Sequence, residues 1–248
     1  MKVSIVTVVW NNKDTIQRAI DSVLSQSYDD IEYIIIDGQS TDGTIDLVQS
    51  YGNKIDKFVS EPDNGIYDAM NKGVSLASGD VVGILNSDDF YVDEFVIEKV
   101  LDAFKREGVD SVYADLSFIN SKGSVVRTFC SKYFHIDRFA YGIMPAHPTF
   151  FVKSKIYQKY GGYRKDYKLA ADYEILIRFL YKKKISSFYL PEVIVKMEMG
   201  GASTGSLKSV LINNNREVLR ACRENGIKTS YFKLFMRYPL KVYEYISA

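Results

Sequence analysis

Four short apolar runs, separated by segments with helical spacing, organise the first half of the chain. These runs are residues 3–10, 31–36, 55–59 and 81–85. They are rich in β-branched residues and nearly continuous in apolar character, which is typical of strands covered on both faces of a sheet. Because strand–helix–strand crossovers are right-handed, the pattern predicts an α/β fold with a Rossmann-like, mainly parallel sheet flanked by helices. The loops after the strands are then expected to meet at one edge of the sheet.

Two adjacent acids follow the fourth run, in the sequence Asn86-Ser87-Asp88-Asp89. Magnesium and manganese ions are typically held by one or two carboxylates together with substrate phosphates. Acid pairs after strands also serve as turn formers and helix caps. The residues by themselves leave both interpretations open, a metal site and a turn.

Length, composition and charge exclude several classes of protein. With 248 residues, 46% of them hydrophobic, the chain has enough apolar surface for one large domain or two small ones. The formal net charge of +1 gives no broad electrostatic surface for nucleic acid. Cys130 and Cys222 lie far apart without metal-ligand spacing, as in a reduced compartment. Since the first apolar run is too short for a membrane span, we expect a cytoplasmic protein.

Four ordered motifs carry a resemblance to a known family. They are Val-Ser-Ile-Val-Thr-Val-Val-Trp-Asn-Asn from Val3, Ile-Asp-Gly-Gln-Ser-Thr-Asp-Gly-Thr from Ile36, the segment of residues 60–89, and Ala-Asp-Tyr-Glu from Ala171. In their order and spacing they resemble family 2 glycosyltransferases of the GT-A fold. The stretch Pro-Asp-Asn-Gly-Ile-Tyr-Asp-Ala-Met-Asn-Lys-Gly from Pro62 is similar to the bacterial branch that builds capsule, exopolysaccharide or O-antigen. The resemblance covers residues 1–205, and residues 206–248 are predicted to form a C-terminal helical extension.

The resemblance implies an inverting transfer of a sugar from a nucleotide-sugar donor to a hydroxyl of a saccharide acceptor, which is lipid-linked in surface polysaccharide synthesis. Asp88 and Asp89 are the implied ligands of a Mn2+ or Mg2+ ion, which neutralises charge on the leaving diphosphate. The implied general base is Asp172, which takes the proton of the attacking hydroxyl. Capping of the following helix is the alternative role of Asp172, and Glu174 is the reserve base.

The resemblance also places donor-binding residues after the first two strands and in the segment 63–72. These nucleotide-sugar-binding residues are Thr7, Asn11, Asp37, Asp63, Asn71, Lys72 and Asn86. Gly38 stands where some uridine-binding relatives have a second acid, which leaves the identity of the donor open. His147 matches an acceptor-side histidine of this branch, and an ordinary loop histidine is the alternative.

Two rival classes lack their characteristic loops. No Gly-x-Gly-x-x-Gly segment follows a predicted strand, which argues against a nicotinamide-dependent oxidoreductase. A sugar nucleotidyltransferase is expected to carry a glycine-rich, basic loop after its first strand, where this chain has Trp10-Asn11-Asn12-Lys13. That class and a non-catalytic nucleotide-sugar-binding protein stay as alternatives.

The end of the chain places basic and aromatic residues side by side. Lys233, Arg237 and Lys241 recur every fourth residue, beside Phe232, Phe235 and Tyr243. Such a helix binds anionic bilayers from the surface, which suits an enzyme at the inner face of the cell membrane. Packing on the domain or on a second subunit, as in a homodimer, is the alternative. The small residues of segment 200–205 predict a mobile loop on the acceptor side.

Overall fold

The computed structural model describes residues 1–198 and 207–238. The predicted loop 200–205 and the predicted stripe residues Lys241 and Tyr243 lie outside these ranges. The strands of this part are β1 (Val3–Val9), β2 (Ile31–Asp37), β3 (Lys57–Ser60), β4 (Val81–Ile84), β5 (Asp89–Tyr91), β6 (Ser111–Ile119), β7 (Val125–Phe129), β8 (Phe151–Lys153) and β9 (Ser187–Glu198). Its α-helices are α1 (Lys13–Leu24), α2 (Thr44–Ser50), α3 (Ile66–Leu76), α4 (Val96–Glu107), α5 (Ser154–Tyr160), α6 (Ala171–Leu176), α7 (Leu207–Glu224) and α8 (Tyr231–Phe235).

One sheet joins the described strands in the order β3-β2-β1-β4-β8-β6-β9-β5, with β7 paired to β6. Strands β3, β2, β1 and β4 run parallel, which confirms the α/β fold predicted from the alternating pattern. The other half of the sheet is mixed, because β8 runs antiparallel to both β4 and β6. No helical crossover precedes β8; two 3₁₀ turns, Ile136–Tyr141 and His147–Thr149, lie in the connection from β7.

The sheet is covered on both faces, as its apolar strands require. Along β1, Val6 and Val8 face one core while Val3, Ile5 and Val9 face the other. Helices α1 and α4 pack into the second core, and helices α3, α6, α7 and α8 pack into the first. The described part of the C-terminal extension therefore completes the core on one face of the sheet.

The basic stripe predicted for the C-terminal segment is not formed at Arg237. Its side chain is buried, with Nη1 donating to the carbonyl of Gly142 at 2.9 Å and Nη2 donating to Oδ1 of Asn215 at 2.7 Å. The guanidinium points inward because these acceptors lie beneath α8, next to buried Leu234. Within the described ranges, no helix has the length and apolar content needed to cross a bilayer.

A buried carboxylate ties three strands and the loop before β4 together at the amino edge of the parallel sheet. Glu32 of β2 accepts hydrogen bonds from Ser4 Oγ at 2.6 Å, the Ser78 backbone N–H at 2.7 Å and Lys57 Nζ at 2.9 Å. Burial by itself raises the pKa of Glu32, but these hydrogen bonds outweigh it and hold the pKa well below its usual range. The ionised carboxylate is therefore the form that stabilises the fold.

We expect Glu32→Gln to lower the free energy of unfolding at pH 7 by about 2–4 kcal/mol, since it removes charged acceptors from buried donors. Because the folded pKa lies below the unfolded one, this contribution is complete above about pH 4.3 and declines as the pH falls further. Thermal unfolding of both proteins from pH 7 to pH 3.5 measures it. Asp102→Asn, which changes an exposed acid on α4, is the matched control. A difference in unfolding free energy between wild type and Glu32→Gln that stays constant with pH would contradict the assignment.

Candidate functional site

The loops after β1 and β2 are bonded to each other at the carboxyl edge of the sheet. Asn11, in a left-handed backbone conformation, accepts the Thr41 N–H at its Oδ1 at 2.7 Å. Its own N–H donates to Ser40 Oγ at 2.7 Å. The register of β1 and β2, which pairs Val9 with Asp37, brings these loops together. Asn11 therefore lies at the predicted edge and fixes its shape.

Asp37 links the ends of β2 and β3. Its Oδ2 accepts the Ser40 N–H at 3.0 Å and the Ser60 hydroxyl at 2.7 Å. The side chain is fully buried, and Oδ1 has no hydrogen-bond partner among the described residues. Asp37 therefore lies beneath the surface of the edge and holds two loops in place.

Because Gly38 has no side chain, the carboxylate of Asp63, which follows β3, can lie against it. A Cβ atom at this position would lie 2.5 Å from Oδ2 of Asp63 and 3.3 Å from Cδ1 of Trp10. Asp63 follows β3, and its Oδ1 accepts the N–H of Gly65 at 2.8 Å. The Asp63 carboxylate thus lies where the side chain of an acid at position 38 would begin. Trp10, which the sequence analysis did not select, is 67% exposed beside it.

The segment Asn86 to Asp89 separates its two acids into different environments. Asp89 begins β5, is fully buried and accepts a hydrogen bond from Asn86 Nδ2 at 3.2 Å. Asp88 is only half-buried. The turn is held by the start of α1, where Thr15 Oγ1 donates to the Ser87 carbonyl at 2.8 Å. The register of β5 against β9 therefore turns Asp89 inward and leaves Asp88 at the surface of the site.

Negative charge accumulates around Asp88. Burial raises its pKa, and the carboxylate of Glu198 raises it further, while His147 and Arg18 oppose the shift. Burial, together with the charge of Asp88, raises the pKa of Asp89 well above its ordinary value. Glu198, at the end of β9, is itself paired with Arg18 of α1. The nearby cations do not offset this cluster, so a bound cation would favour its ionised form.

Three buried side-chain oxygen atoms at this edge have no hydrogen-bond partner within the described ranges. They are Oδ1 of Asp37, Oδ1 of Asn86 and Oδ1 of Asp89. Unpartnered buried acceptors are rare in native proteins and are satisfied by ligands, ions or water. Asp88, Asn86 and Asp89 therefore form an oxygen donor set of the type that Mg2+ or Mn2+ prefers. No group of three His, Cys, Asp or Glu residues in the described part could hold a metal ion alone, so such an ion would need ligands from a substrate.

Asp172 lies in the first turn of α6, facing His147. The N-cap position of this helix is Ala170, which offers no side-chain cap, so Asp172 is not the N-cap residue. One carboxylate oxygen accepts the Tyr173 N–H at 2.8 Å, and the other lies 3.4 Å from Nδ1 of His147. His147 also influences Asp88 electrostatically. The histidine therefore contacts Asp172 and is near enough to Asp88 to act on its charge.

Two residues that position Asp172 were not selected from the sequence. The Tyr67 hydroxyl donates to Oδ1 of Asp172 at 3.4 Å. Burial and the nearby carboxylate charge raise the pKa of Tyr67, so its hydroxyl stays a neutral donor. Glu217 of α7 accepts the N–H groups of Lys168, Leu169 and Ala170 at 2.8–2.9 Å. Tyr67 belongs to the quoted motif around Pro62, whereas nothing in the sequence marks Glu217.

Four residues named in the sequence analysis are engaged elsewhere. Thr7 is fully buried, with its hydroxyl 3.1 Å from that of Tyr33. The Asn71 amide donates to the Tyr163 carbonyl at 2.7 Å and accepts the Tyr163 N–H at 2.8 Å. Lys72 binds Glu61 and the Pro62 carbonyl, each at 2.8 Å. Glu174, the reserve base, is buried in an ion pair with Arg178. The contact of Thr7 joins two strands and those of Asn71 and Lys72 hold loops near the site, so none of the four side chains is directed to it.

A cavity of about 810 Å³ adjoins Asp172 and His147. Much of its wall is apolar or aromatic. This part includes Phe118, Phe129, Phe134, Met144, Leu169 and Met197. The residues of the acidic cluster do not line it. The site therefore has two parts, a polar edge around Asp88 and a largely apolar cavity whose wall includes His147 and Asp172.

The model for glycosyl transferase family 2 matches residues 4–166. The chain belongs to this family. An uncharacterized glycosyltransferase of Mycobacterium tuberculosis is 34% identical to it over 179 residues, covering 71% of this chain and 68% of the relative. A PGL/p-HBAD biosynthesis glycosyltransferase of Mycobacterium bovis is 27% identical over 209 residues, covering 81% and 78%. The family match and these relatives therefore support glycosyltransferase activity for the chain.

Solved structures confirm the fold of this glycosyltransferase. Residues 1–349 of S. aureus TarS, in complex with UDP-GlcNAc, superpose with a TM-score of 0.70 at 16% identity, covering 86% of this chain and 66% of TarS 1–349. A mannosyltransferase from Pyrobaculum calidifontis, in complex with GDP-Man and Mn2+, superposes with a TM-score of 0.68 at 16% identity, covering 90% and 63%. The chain spans slightly less than two thirds of these two chains. At these identities the likeness establishes the GT-A-like fold.

We expect Tyr67→Phe to lower the kcat of sugar transfer about tenfold, because Asp172 loses the hydroxyl that positions it. Nucleotide affinity is expected to stay unchanged, since Tyr67 lies on the Asp172 side of the site. Steady-state kinetics together with calorimetric nucleotide titration separate the two effects. Tyr51→Phe, which removes a hydroxyl bonded to Asp21 on the other face of the sheet, is the control. Equal losses of kcat and nucleotide affinity in Tyr67→Phe would contradict the positioning role.

Proposed function

We propose that this glycosyltransferase is an inverting, metal-dependent enzyme that moves a sugar from a nucleoside-diphosphate sugar to a saccharide hydroxyl in bacterial surface polysaccharide synthesis. The observation that carries the proposal is a set of three buried side-chain oxygens at the carboxyl edge of the sheet, on Asp37, Asn86 and Asp89, that have no hydrogen-bond partner among the described residues. A nucleotide donor and its cation supply the hydrogen bonds and positive charge that this edge lacks. The complexes of TarS with UDP-GlcNAc and of the mannosyltransferase with GDP-Man support this donor class.

Donor recognition is assigned to the loops that follow β1 to β3. Trp10 offers an exposed aromatic face on which a nucleobase can stack. Asp63 offers a carboxylate oxygen near the Gly38 backbone as the acceptor for a base or ribose donor group. Asn11 and buried Asp37 hold these loops, and the free Oδ1 of Asp37 is a further acceptor. In this assignment Asp63 takes the place of the acid that some uridine-binding relatives carry after the second strand.

The divalent cation is assigned to Asp88, with Asn86 and Asp89 supporting it. When bound, such an ion neutralises charge on the leaving diphosphate. Asp88 is the direct ligand because it is half-buried at the surface of the site, whereas Asp89 is fully buried. Asn86 holds Asp89 through its amide nitrogen and offers its oxygen to the donor. The Mn2+ in the mannosyltransferase complex supports this type of ion.

Asp172 is assigned as the general base. Its carboxylate accepts the proton of the acceptor hydroxyl as the hydroxyl oxygen attacks the anomeric carbon. The bond from that carbon to the diphosphate breaks, and the nucleoside diphosphate leaves with the electron pair. Because a single displacement occurs, the anomeric configuration inverts. His147 orients the carboxylate from one side and Tyr67 from the other.

A screen of nucleoside-diphosphate sugars with the purified protein tests the proposal. Release of nucleoside diphosphate together with an acceptor-linked sugar of inverted configuration, seen by NMR, is the expected result. Retention of configuration would overturn the inverting mechanism. Release of pyrophosphate from a nucleoside triphosphate would indicate a nucleotidyltransferase, and binding of a donor without turnover would indicate a binding protein.

For the metal site, we expect Asp88→Asn to weaken Mn2+-supported binding of nucleoside diphosphate at least tenfold, since a carboxylate ligand is lost. Binding in chelator should be nearly the same in the variant and the wild type. Calorimetric titration with Mn2+ and with chelator measures both. Asp46→Asn, an exposed acid on α2, is the control. Wild-type turnover that persists undiminished in chelator would rule out the metal role.

For the base, we expect Asp172→Asn to lower kcat by about 10²–10⁴-fold with little change in donor affinity. Because the amide keeps the shape of the side chain, the melting temperature should stay close to that of the wild type. Single-turnover kinetics and thermal unfolding provide the two measurements. A variant that is less stable but turns over normally would indicate that Asp172 only stabilises α6.

A further inference from the structure

We propose that the exposed face of α8 and the neighbouring 3₁₀ turn Ile136–Tyr141 dock on an anionic lipid bilayer and present the cavity beside Asp172 to a lipid-linked acceptor. The acceptor part of this inference rests on the proposed function, whereas the docking part rests on the surface alone. Four observations lead to it: exposed aromatic side chains, the contact between the α8 segment and the 3₁₀ turn, the surrounding cations, and a shared cavity wall.

The outer face of α8 is apolar. Phe232 is 76% exposed and Phe235 is 57% exposed, and Tyr231 and Met236 are also exposed. At 100° per residue these four positions lie within about 140° of one another around the helix axis. The opposite side carries buried Leu234. Side chains of this size standing out together on a short helix mark an interaction surface.

The 3₁₀ turn Ile136–Tyr141 extends this apolar face. Ile136 and Tyr141 are exposed on it, and Lys233 of α8 lies over the Tyr141 ring, 5.6 Å from its centroid. The two segments are in close contact, since a Cβ at Gly142 would lie 2.5 Å from Nη1 of Arg237. Gly142 also has a positive φ of 71°, which favours glycine. The apolar side chains of both segments therefore belong to one surface, which we name the α8 surface.

Cations accompany the α8 surface. Lys132, Arg138 and Lys228 are exposed on the segments that form it or adjoin it. The acid Asp137 lies beside His135, its Oδ2 3.1 Å from the histidine Nδ1. Aromatic side chains flanked by lysine and arginine are suited to the headgroup region of an anionic bilayer. A symmetric contact between two copies would instead bring these cations close to their own equivalents, which is unfavourable.

The α8 surface adjoins the wall of the cavity. Tyr133, Arg138, Gly142 and Arg237 line the same cavity as His147 and Asp172. A lipid-linked saccharide has an apolar tail that partitions into a bilayer and a sugar hydroxyl that must reach the base. The docking face would keep the apolar tail in the bilayer, and the cavity beside Asp172 would receive the saccharide end. A water-soluble acceptor would enter the cavity without needing the docking face.

Co-sedimentation with vesicles tests the docking. The full chain is expected to bind phosphatidylcholine vesicles that contain phosphatidylglycerol, and to bind less tightly in high salt. Phe232→Ser with Phe235→Ser should weaken vesicle binding at least about tenfold by removing the inserting rings. Lys132→Gln with Lys228→Gln should reduce the preference for anionic over neutral vesicles by about fivefold per cation. Point variants are used because α8 also contributes Leu234 to the core.

Matched controls come from the other face of the sheet. Phe95→Ser and Lys105→Gln change an exposed aromatic residue and an exposed cation at α4, and should leave vesicle binding unchanged. Wild-type protein that ignores both kinds of vesicle, or Phe232→Ser with Phe235→Ser binding like wild type, would overturn the docking. So would a lipid-free dimer that the two serine substitutions dissociate.

The acceptor half is tested by comparing a lipid-linked saccharide in vesicles with the same free saccharide. The wild type should turn over the lipid-linked form faster, and the two serine substitutions should remove that advantage without affecting donor binding. Equal turnover of both acceptors would overturn this half. Vesicle binding without donor binding would instead mean that the proposed function fails while the docking stands.

Discussion

Uncompensated negative charge at the carboxyl edge of the sheet is the constraint on which the site depends. The buried acid at the amino edge is in the opposite situation. Hydrogen bonds from several donors satisfy Glu32 and lower its pKa. At the carboxyl edge, burial raises the pKa of Asp88 and Asp89, and three buried oxygens lack donors within the part of the chain that the structure describes. An unsatisfied buried polar group costs about 1–3 kcal/mol, a large share of a domain's net stability. Such unsatisfied groups are tolerated where a bound ligand satisfies them. These oxygens therefore support the assignment of the nucleotide-sugar site to this edge.

Helix α3 joins the two parts of the site. Before it, Asp63 lies beside Gly38 at the polar edge; within it, the Tyr67 hydroxyl meets Asp172. One turn later Asn71 forms two hydrogen bonds with the backbone of Tyr163, which fixes the chain that leads to α6. The polar residues of the motif around Pro62 thus serve mainly to hold the donor side and the Asp172 side at a fixed distance.

The sequence was sufficient to predict the parallel half of the sheet and the acids at strand ends. The apolar pattern of each strand and the alternation of strands and helices along the chain can be read from neighbouring residues. It was not sufficient for Asn71, which looks like a helix-surface residue until its partner Tyr163, distant in the sequence, is known. It also could not separate Asp88 from Asp89, because the register of β5 on β9 decides which of them faces inward. The mixed half of the sheet depends on pairings between distant segments, and local propensity does not encode these.

In the C-terminal segment a basic residue is buried and aromatic residues are exposed, which is the reverse of what the sequence suggests. Basic residues at every fourth position predicted a charged outer stripe, yet Arg237 lies inside because the carbonyl of Gly142 and the amide of Asn215 accept its hydrogen bonds. The aromatic rings of Phe232 and Phe235 are left outside. Arg237, which follows α8, and Gly142 also line the cavity beside Asp172. The outer face of α8 and the wall of the cavity beside Asp172 are therefore built from neighbouring residues of the same two segments.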